Sequence, residues 1–599
     1  RNLGPGGAEL AILGSAISQD SLFLASPEGI LRGALNDNLQ DFNNWFFFPA
    51  ESGVPDNSIQ AVVRRNNQVY ALFNNTQLFQ YQHLGQWTSV SLPNLSRINL
   101  LRTSGSQLLL ANDRQLIRLG ENNQIDIIED PLFRQIQDVG RDSQGNFWLS
   151  DRINGLLGNP SGTYQSFFPN GPARAEVVRV QASQGQIFAL SGGADANQNP
   201  QGRDAGYYVF DGRRWQNFNA FDPIHSTDIP DLLDLNDFVF DSRRGLNYFA
   251  SFQNGLFSQD REGNTSLINE NTSGTTLRLD NNLELKISAL ALDFEGRLWM
   301  ANPGGENTLH VLSTDDSWQA FPPFVNQASN PLDILVDNFS DFKWIRLDPN
   351  LGGGIWVLDD RNSLQRFLSS STNNGSLPSS RVNALAQDRE GQIWVGTDQG
   401  VAVFLDPFSI FQGNVNAITP IFELRPLLRA EKVSSIAIDG GNRKWFGTES
   451  GVWLFNADTD ALIHHFTESN SPLLSDIILD LTIDPRSGEL FIATDRGLVS
   501  YRGTATEGTA NFQNVQIFPN PVLPNFEGQV GISGLVEGAR VKITDVSGRL
   551  IFEDDAEGGT VTWNLRDYTG FRARTGVYLV FSTNQDGSES FIGKIAVIE

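Results

Sequence analysis

One pattern recurs along the chain and limits what it can fold into. It is plainest at 381–404, RVNALAQDREGQIWVGTDQGVAVF. Three short apolar runs are separated by two Asp/Gly turns, the pattern of an antiparallel meander. A single sheet of this kind has two raw edges and little core, so it needs copies of itself. The chain supplies them. Residues 432–455 repeat the template around Trp445, 287–301 around Trp299 and 136–156 around Trp148. Residues 476–501 place Phe491 at the aromatic position held by Trp394 in the first copy, and 238–257 place Tyr248 there, with weaker copies centred on Trp356, Phe188, Leu109, Tyr70 and Phe23. The steps between marks run from 38 to 60 residues, around the roughly 40–50 expected for a four-stranded propeller blade. The marked aromatics are expected in the core between blades.

The marks fall into a group of four, Phe23 to Trp148, and a group of seven, Phe188 to Phe491. Seven blades close a ring, whereas four do so only in small propellers. The expected fold class is therefore all-β: two β-propellers, then a C-terminal Ig-like β-sandwich. The expected domains are a partial first propeller of about four blades at 1–165, a seven-bladed propeller at 166–508, and the sandwich at 513–599. Because the chain opens inside a strand pattern, about three further blades are expected before residue 1 (roughly 40–50 residues each). A chain that returns to complete the first ring is a second partition.

Composition agrees with a turn-rich β protein: 56 Gly and 26 Pro among 599 residues. With no cysteine, disulfides, thiolate chemistry and Cys-based metal sites are excluded. The net charge of −26 argues against binding nucleic acid or adhering to anionic lipid by bulk attraction. No apolar run is long enough to span a membrane as a helix, and no signal peptide is visible.

Candidate chemistry is sparse. The five histidines are His83, His225, His310, His464 and His465; the last two alternate faces on a strand and cannot share a metal. No nucleophile elbow, zincin helix or P-loop is present. Asp142, Asp293, Asp388 and Asp439 sit in the blade turns, where an Asp caps backbone N–H groups. Two insertions, 192–206 and 221–241, read as surface loops. Acids at Asp222, Asp228, Asp231, Asp234, Asp237 and Asp241 lack calcium-loop spacing. No catalytic residue, cofactor or metal is expected. A propeller binds ligands at the mouth of its channel, but the sequence does not show which loops meet there.

The template resembles the two-component-regulator propeller repeat of the periplasmic sensor halves of hybrid histidine kinases of Bacteroidota. Those sensors continue into a transmembrane helix, and here the chain instead reads VQIFPNPV at 515–522, ARVKITDVSGRLIFED at 539–554, GTVTWNLRD at 559–567, TGVYLVFS at 575–582 and SFIGKIAVIE at 590–599. Val541 and Ile543, and Leu550 and Phe552, are expected on one face, with Trp563 and Tyr578 filling the core. The signature Phe518-Pro519-Asn520-Pro521, Asp545 with Gly548, Trp563, Gly576 with Tyr578, and Gly593-Lys594 resembles the C-terminal signal domain of the type IX secretion system. That resemblance implies export to the cell surface of a Bacteroidota cell. In cargo this domain is removed by a sortase, which joins the cargo to anionic lipopolysaccharide.

Paired propellers followed by such a domain resemble a surface-retained component of the type IX attachment complex, peripheral on the outer membrane. The resemblance implies a non-enzymatic protein that binds anionic lipopolysaccharide and delivers it to the sortase PorU, alongside PorV and PorQ. Given the net charge, such binding needs a local basic patch, and the sandwich offers Arg540, Lys542, Arg549, Arg566, Arg572, Arg574 and Lys594. Two other readings are an exported carbohydrate-binding cargo with a cleavable signal, and a hydrolase or lyase with a channel-mouth site.

Overall fold

The computed structural model describes residues 3, 7–49, 52–55, 59–82, 85–93, 97–120, 124–167, 169–220, 229–230, 232–322 and 330–598. His83, His225, Asp222, Asp228 and Asp231 lie outside the described residues. The chain forms two compact units, Arg1–Asn170 and Gly171–Glu599.

Eleven antiparallel meanders account for the propeller part, numbered here as blades in chain order. The first unit holds blades 1–4, at 14–47, 59–90, 100–129 and 136–167. The second holds blades 5–11, at 179–218, 235–268, 289–321, 331–368, 382–404, 433–466 and 478–502. Blades 9 and 11 have three strands among the described residues, the others four. In the second unit the first strands of successive blades lie side by side, except that blade 9 meets blade 8 through the second strand of blade 8, and the first strand of blade 11, Ile478–Asp484, packs against that of blade 5, Arg179–Ser183. Seven blades therefore close into a ring.

Among the described residues no strand is shared across the closure, because each blade sheet is built from contiguous chain. Side chains make the joint instead. Asp480 accepts from Val180 N at 2.9 Å, and Thr482 Oγ1 accepts from Ala182 N at 3.1 Å.

Of the eleven marks, ten are buried, and Trp148 is half-buried and packs within blade 4 against Phe167. One assignment needs correction. Trp356 sits on the third strand of blade 8, Ile355–Asp359, and the second-strand position belongs to Trp344 on Lys343–Leu347. Both tryptophans are buried, so blade 8 presents two equally apolar candidates, and its turn lacks the usual glycine.

The blade-turn aspartates do the capping their spacing suggests. Asp388 Oδ1 accepts from Glu390 N and Gln392 N, while Oδ2 accepts from Trp394 Nε1 at 3.0 Å. Asp142, Asp293 and Asp439 hold Trp148, Trp299 and Trp445 at 2.9–3.1 Å in the same way. Two lysines extend this to the next blade. Lys444 of blade 10 lies 3.2 Å from Asp388 and over the Trp394 ring, and Lys343 of blade 8 lies 3.8 Å from Asp293 and over the Trp299 ring, with Asp360 nearer at 2.8 Å. Each is a buried cation held by a carboxylate and a ring face.

The last part of the second unit is a sandwich of two sheets. One comprises Gln516–Phe518, Val530–Ser533 and Thr560–Trp563; the other orders Leu550–Asp555, Arg540–Asp545, Gly576–Thr583 and Ser590–Val597. Val541, Ile543, Val580, Ile595 and Trp563 form its core. The expected Leu550/Phe552 face is corrected by a register shift after Ile543. Ile551 turns into the core, Phe552 packs partly against it, and Leu550 is exposed.

Candidate functional site

The axis of the seven-bladed ring is the first place to look for a site. Its lining comes from an irregularity repeated in the first strands. Register shifts occur at Leu235/Asp237, Pro331/Asp333, Val382/Ala384, Val433/Ser435 and Ile478/Asp480. A bulge re-aims the side chains around it, and here it sets Asp237, Asp333, Ser435 and Asp480 toward the axis. Arg179 from blade 5 lies among them, its guanidinium 3.6 Å from Asp237, 3.6 Å from Asp333 and 3.7 Å from Asp480. Arg346 approaches Asp333 at 3.9 Å.

The acids also latch blades through hydrogen bonds. Asp237 accepts from Leu290 N of blade 7 at 2.7 Å and from Gln181 Nε2 of blade 5 at 2.8 Å. Asp480 accepts from Ser435 of blade 10 at 2.8 Å. Burial pushes Asp237 up to about 6 against the pull of Arg179, and it raises Asp480 as well. Burial alone would lower Arg179, but Asp333, Asp480 and Asp237 outweigh it and hold the guanidinium above its ordinary value.

This has a pH consequence. A carboxyl with a raised folded value stabilises most when protonated, so that contribution is present below the unfolded value and lost as pH rises through about 6. Relative to an Asp237→Asn protein, the native ring is expected to gain thermal stability as pH falls from about 6.5 to about 4. A difference in melting temperature that stays flat over this window would contradict it.

The axis is covered on one side. The 192–206 insertion does not stand out in solvent. Buried Asp234 accepts from Gly202 N at 2.7 Å and Arg203 N at 3.1 Å, and Asn350 of blade 8 donates to Ala196 O at 2.8 Å. The loop thus crosses from blade 5 toward blade 8, and Ala194 and Gln198 wall a cavity of about 230 Å³ with Arg179, Asp237 and Asp333. The expected solvated character of Asp234, Asp237 and Asp241 is likewise corrected, since all three are buried and hydrogen-bonded. No cluster of metal-ligating side chains occurs among the described residues. His310 is buried, bonded to Thr276 and Asn307, and lowered to about 4 by that burial. His465 stacks on Trp453.

In the sandwich the fold brings the signature residues together in three places. Trp563 is fully buried, donates to Arg566 O and meets Tyr578 edge-on at 5.3 Å, while Tyr578 donates to Arg574 O. Asp545 accepts from Ser547 N and Arg549 N across a turn completed by Gly548 at φ +86°. Asn520 lies beside the last strand: its Nδ2 donates to Lys594 O at 2.8 Å and its Oδ1 accepts from Ala596 N at 3.0 Å. Pro519 and Pro521 cannot donate to a ladder, so the Asn520 amide replaces the missing neighbour at this edge. Gly593 passes under Ile517, where a Cβ would meet Ile517 Cδ1 at 2.8 Å. Asn520→Ala is expected to cost the sandwich about 1–2 kcal/mol through these two bonds, read by chemical denaturation; no loss would mean the amide is dispensable. Phe518 and Gly576 are exposed, and the Lys594 side chain reaches solvent.

Five of the seven cations of the sandwich are engaged, which leaves Arg574 and Lys594 exposed. Arg540 pairs with Asp555 at 2.8 Å, Lys542 with Glu553 at 3.3 Å and Arg549 with Asp545 at 3.4 Å, while Arg566 and Arg572 donate to Gly570 O and Phe526 O.

The joint between ring and sandwich is tight. The 503–511 segment hydrogen-bonds to both sides: Gly503 N to Gly488 O, Glu507 N to Pro485 O, Gly559 N to Thr506 O and Thr509 N to Leu535 O, all at 2.8–3.0 Å. Arg443 of blade 10 reaches Glu557 of the sandwich at 2.6 Å and Thr504 at 2.9 Å. Three backbones stack here without room for a side chain. A Cβ on Gly440 would lie 2.0 Å from Thr506 O, and one on Gly558 would lie 2.1 Å from the same oxygen.

These features define a β-propeller protein with an attached sandwich, and residues 376–399 match the two component regulator propeller family. Among solved structures the chain is similar to PorZ, described as an essential bacterial surface component of the type IX secretion system of Porphyromonas gingivalis. The TM-score is 0.75 with 22% identity, over 98% of this chain and 82% of that one. A GH74 enzyme of Niastella koreensis superposes less well, with a TM-score of 0.51 and 13% identity over 81% and 73% of the two chains. At these identities the likeness is one of fold. None of the curated proteins matches the chain in sequence.

Of the axis residues the sequence pointed to Asp237 alone, as a loop acid, and Asp333, Asp480 and Arg179 were missed. Aligned repeats would have exposed them, because LNDFVFD, PLDILVD, VSSIAID and ILDLTID place Asp237, Asp333, Ser435 and Asp480 at one position.

Proposed function

We propose that this protein is a non-enzymatic component of the type IX secretion attachment complex at the cell surface, peripheral on the outer membrane. It binds anionic lipopolysaccharide and presents it to the sortase PorU, in company with PorV and PorQ, and it keeps its 513–599 domain. The PorZ-like fold supports the class of protein. The observation that carries the reading is the locked joint. A cargo signal must be cut from its cargo, which needs an extended segment that can enter a protease. Here 503–511 is bonded to both neighbours, with Ala505 and Thr506 buried. That supports a retained domain over a cleaved one.

The axis of the second ring is a poor candidate for the ligand. Its arginine is engaged by three carboxylates, and a loop covers one mouth. Purified full-length chain is expected to retain anionic lipopolysaccharide from a Bacteroidota cell in a co-sedimentation assay, and to release it as salt is raised. No retention at low salt would overturn the reading.

A further inference from the structure

The negative charge is not spread evenly. Residues 1–170 contain 11 arginines, no lysine and 15 acids, a net −4, whereas 171–599 carry 32 basic and 54 acidic residues, a net −22. Per residue the first unit thus carries about half the net negative charge of the second, −4 over 170 residues against −22 over 429.

That unit contains an open cleft of about 810 Å³, lined by Arg97, Arg114 and Arg134 together with Asn112, Gln115 and the acids Asp113, Glu129 and Asp130. Its walls are the lead-in to blade 3, the turn between the second and third strands of blade 3, and the loop from blade 3 into blade 4. Those connections all emerge on one face of a propeller, so three arginines from separate loops converge there.

Their backbones are fixed while their guanidinium groups have no ion-pair partner among the described residues. Arg134 N donates to buried Asp151 at 2.9 Å and Arg114 N to buried Asn112 at 2.9 Å. Next to Arg97, Ile98 is buried with its N–H on Asn75 O at 2.6 Å, and Asn99 is tied to Asp113 at 2.6 Å. None of the three guanidinium groups makes an ion pair with a described residue. The three acids of the cleft each accept one hydrogen bond from a neutral amide, Asp113 from Asn99, Glu129 from Gln115 and Asp130 from Leu132 N, and keep acceptor sites for hydroxyls. By contrast, Arg102 and Arg118 in the same unit are paired with Asp138 and Asp126.

We infer that this cleft binds an anionic saccharide, its arginines holding phosphate or carboxylate and its amides and acids holding hydroxyls. Guanidinium groups suit both anions through paired N–H donors, and positions fixed in advance lower the cost of ordering on binding. Phe133 is buried behind the cleft, so recognition is by charge and hydrogen bonds rather than by ring stacking. The inference deepens the proposed function, and rests on it only for the source of the sugar.

The test uses full-length protein and calorimetric titration with mannose 1-phosphate, galacturonate, mannose and inorganic phosphate. At least one of the two anionic sugars is expected to bind and mannose is not. Arg97→Gln, Arg114→Gln and Arg134→Gln together should weaken binding about 100-fold, and Arg102→Gln should leave it unchanged. All four positions have exposed side chains, so folding is expected to survive. Equal binding by the triple variant, no binding of either anionic sugar at millimolar concentration, or phosphate binding as tightly as the phosphorylated sugar would each overturn the inference. Lipopolysaccharide separates the two ideas. Its full retention by the triple variant sinks the cleft alone, and its failure to bind native protein sinks the proposed function while the sugar titration still decides the cleft.

Discussion

Arg179→Met is expected to destabilise the seven-bladed ring by about 3–5 kcal/mol, the scale for removing one partner of an enclosed ion cluster. The substitution keeps the length of the stem but takes the cation from among Asp237, Asp333 and Asp480, which stand 3.6–3.7 Å from it. Those acids come from blades 6, 8 and 11, so their repulsion is applied where blade 11 must meet blade 5. Calorimetry should show the propeller transition shifted down. Adding Asp237→Asn and Asp480→Asn should restore much of the loss, because the repulsion then disappears. An Arg179→Met protein as stable as the native one would mean that the latches from Asp480 to Val180 and from Thr482 to Ala182 suffice to close the ring.

Gly440→Ala is expected to open the joint between ring and sandwich. The added methyl would fall 2.0 Å from Thr506 O and 2.1 Å from its carbon, so backbone must move. Overpacking of this kind costs at least about 2 kcal/mol. Cleavage within 503–511 by a non-specific protease should then rise ~30-fold, since it follows the population of the opened form. The ring and sandwich should each keep their own transitions, because neither core includes Gly440. Unchanged cleavage would show that Gly440 is not what holds the segment, and would remove the main support for a retained domain.

The repeats made the blades legible. The spacing of Trp299, Trp394 and Trp445 and the Asp turns beside them reflect local chemistry that each blade must satisfy alone. What local patterns could not show is anything assembled across blades. Asp237, Asp333 and Asp480 are some hundred and more residues apart, and only ring closure sets them around Arg179. Blade 8 misled because Trp344 and Trp356 are both buried, and a period alone does not tell a second strand from a third. Leu550 misled because a bulge breaks the alternation that strand patterns assume. The 192–206 insertion has the composition of a solvated loop, and its bonds to Asp234 and Asn350 depend on residues far along the chain. In the sandwich, Trp563, Tyr578 and Asp545 could be read directly as core and turn. The role of Asn520 at the sheet edge could not, because its partners lie over seventy residues away.

The most direct test of the account is the intact mass of this protein recovered from the surface of the cells that make it. The account predicts a species that still contains 515–599 and carries no covalent glycolipid. A mass lower by that domain and raised by a heterogeneous glycolipid would contradict it, and would make the protein a cargo of the secretion system rather than part of its machinery.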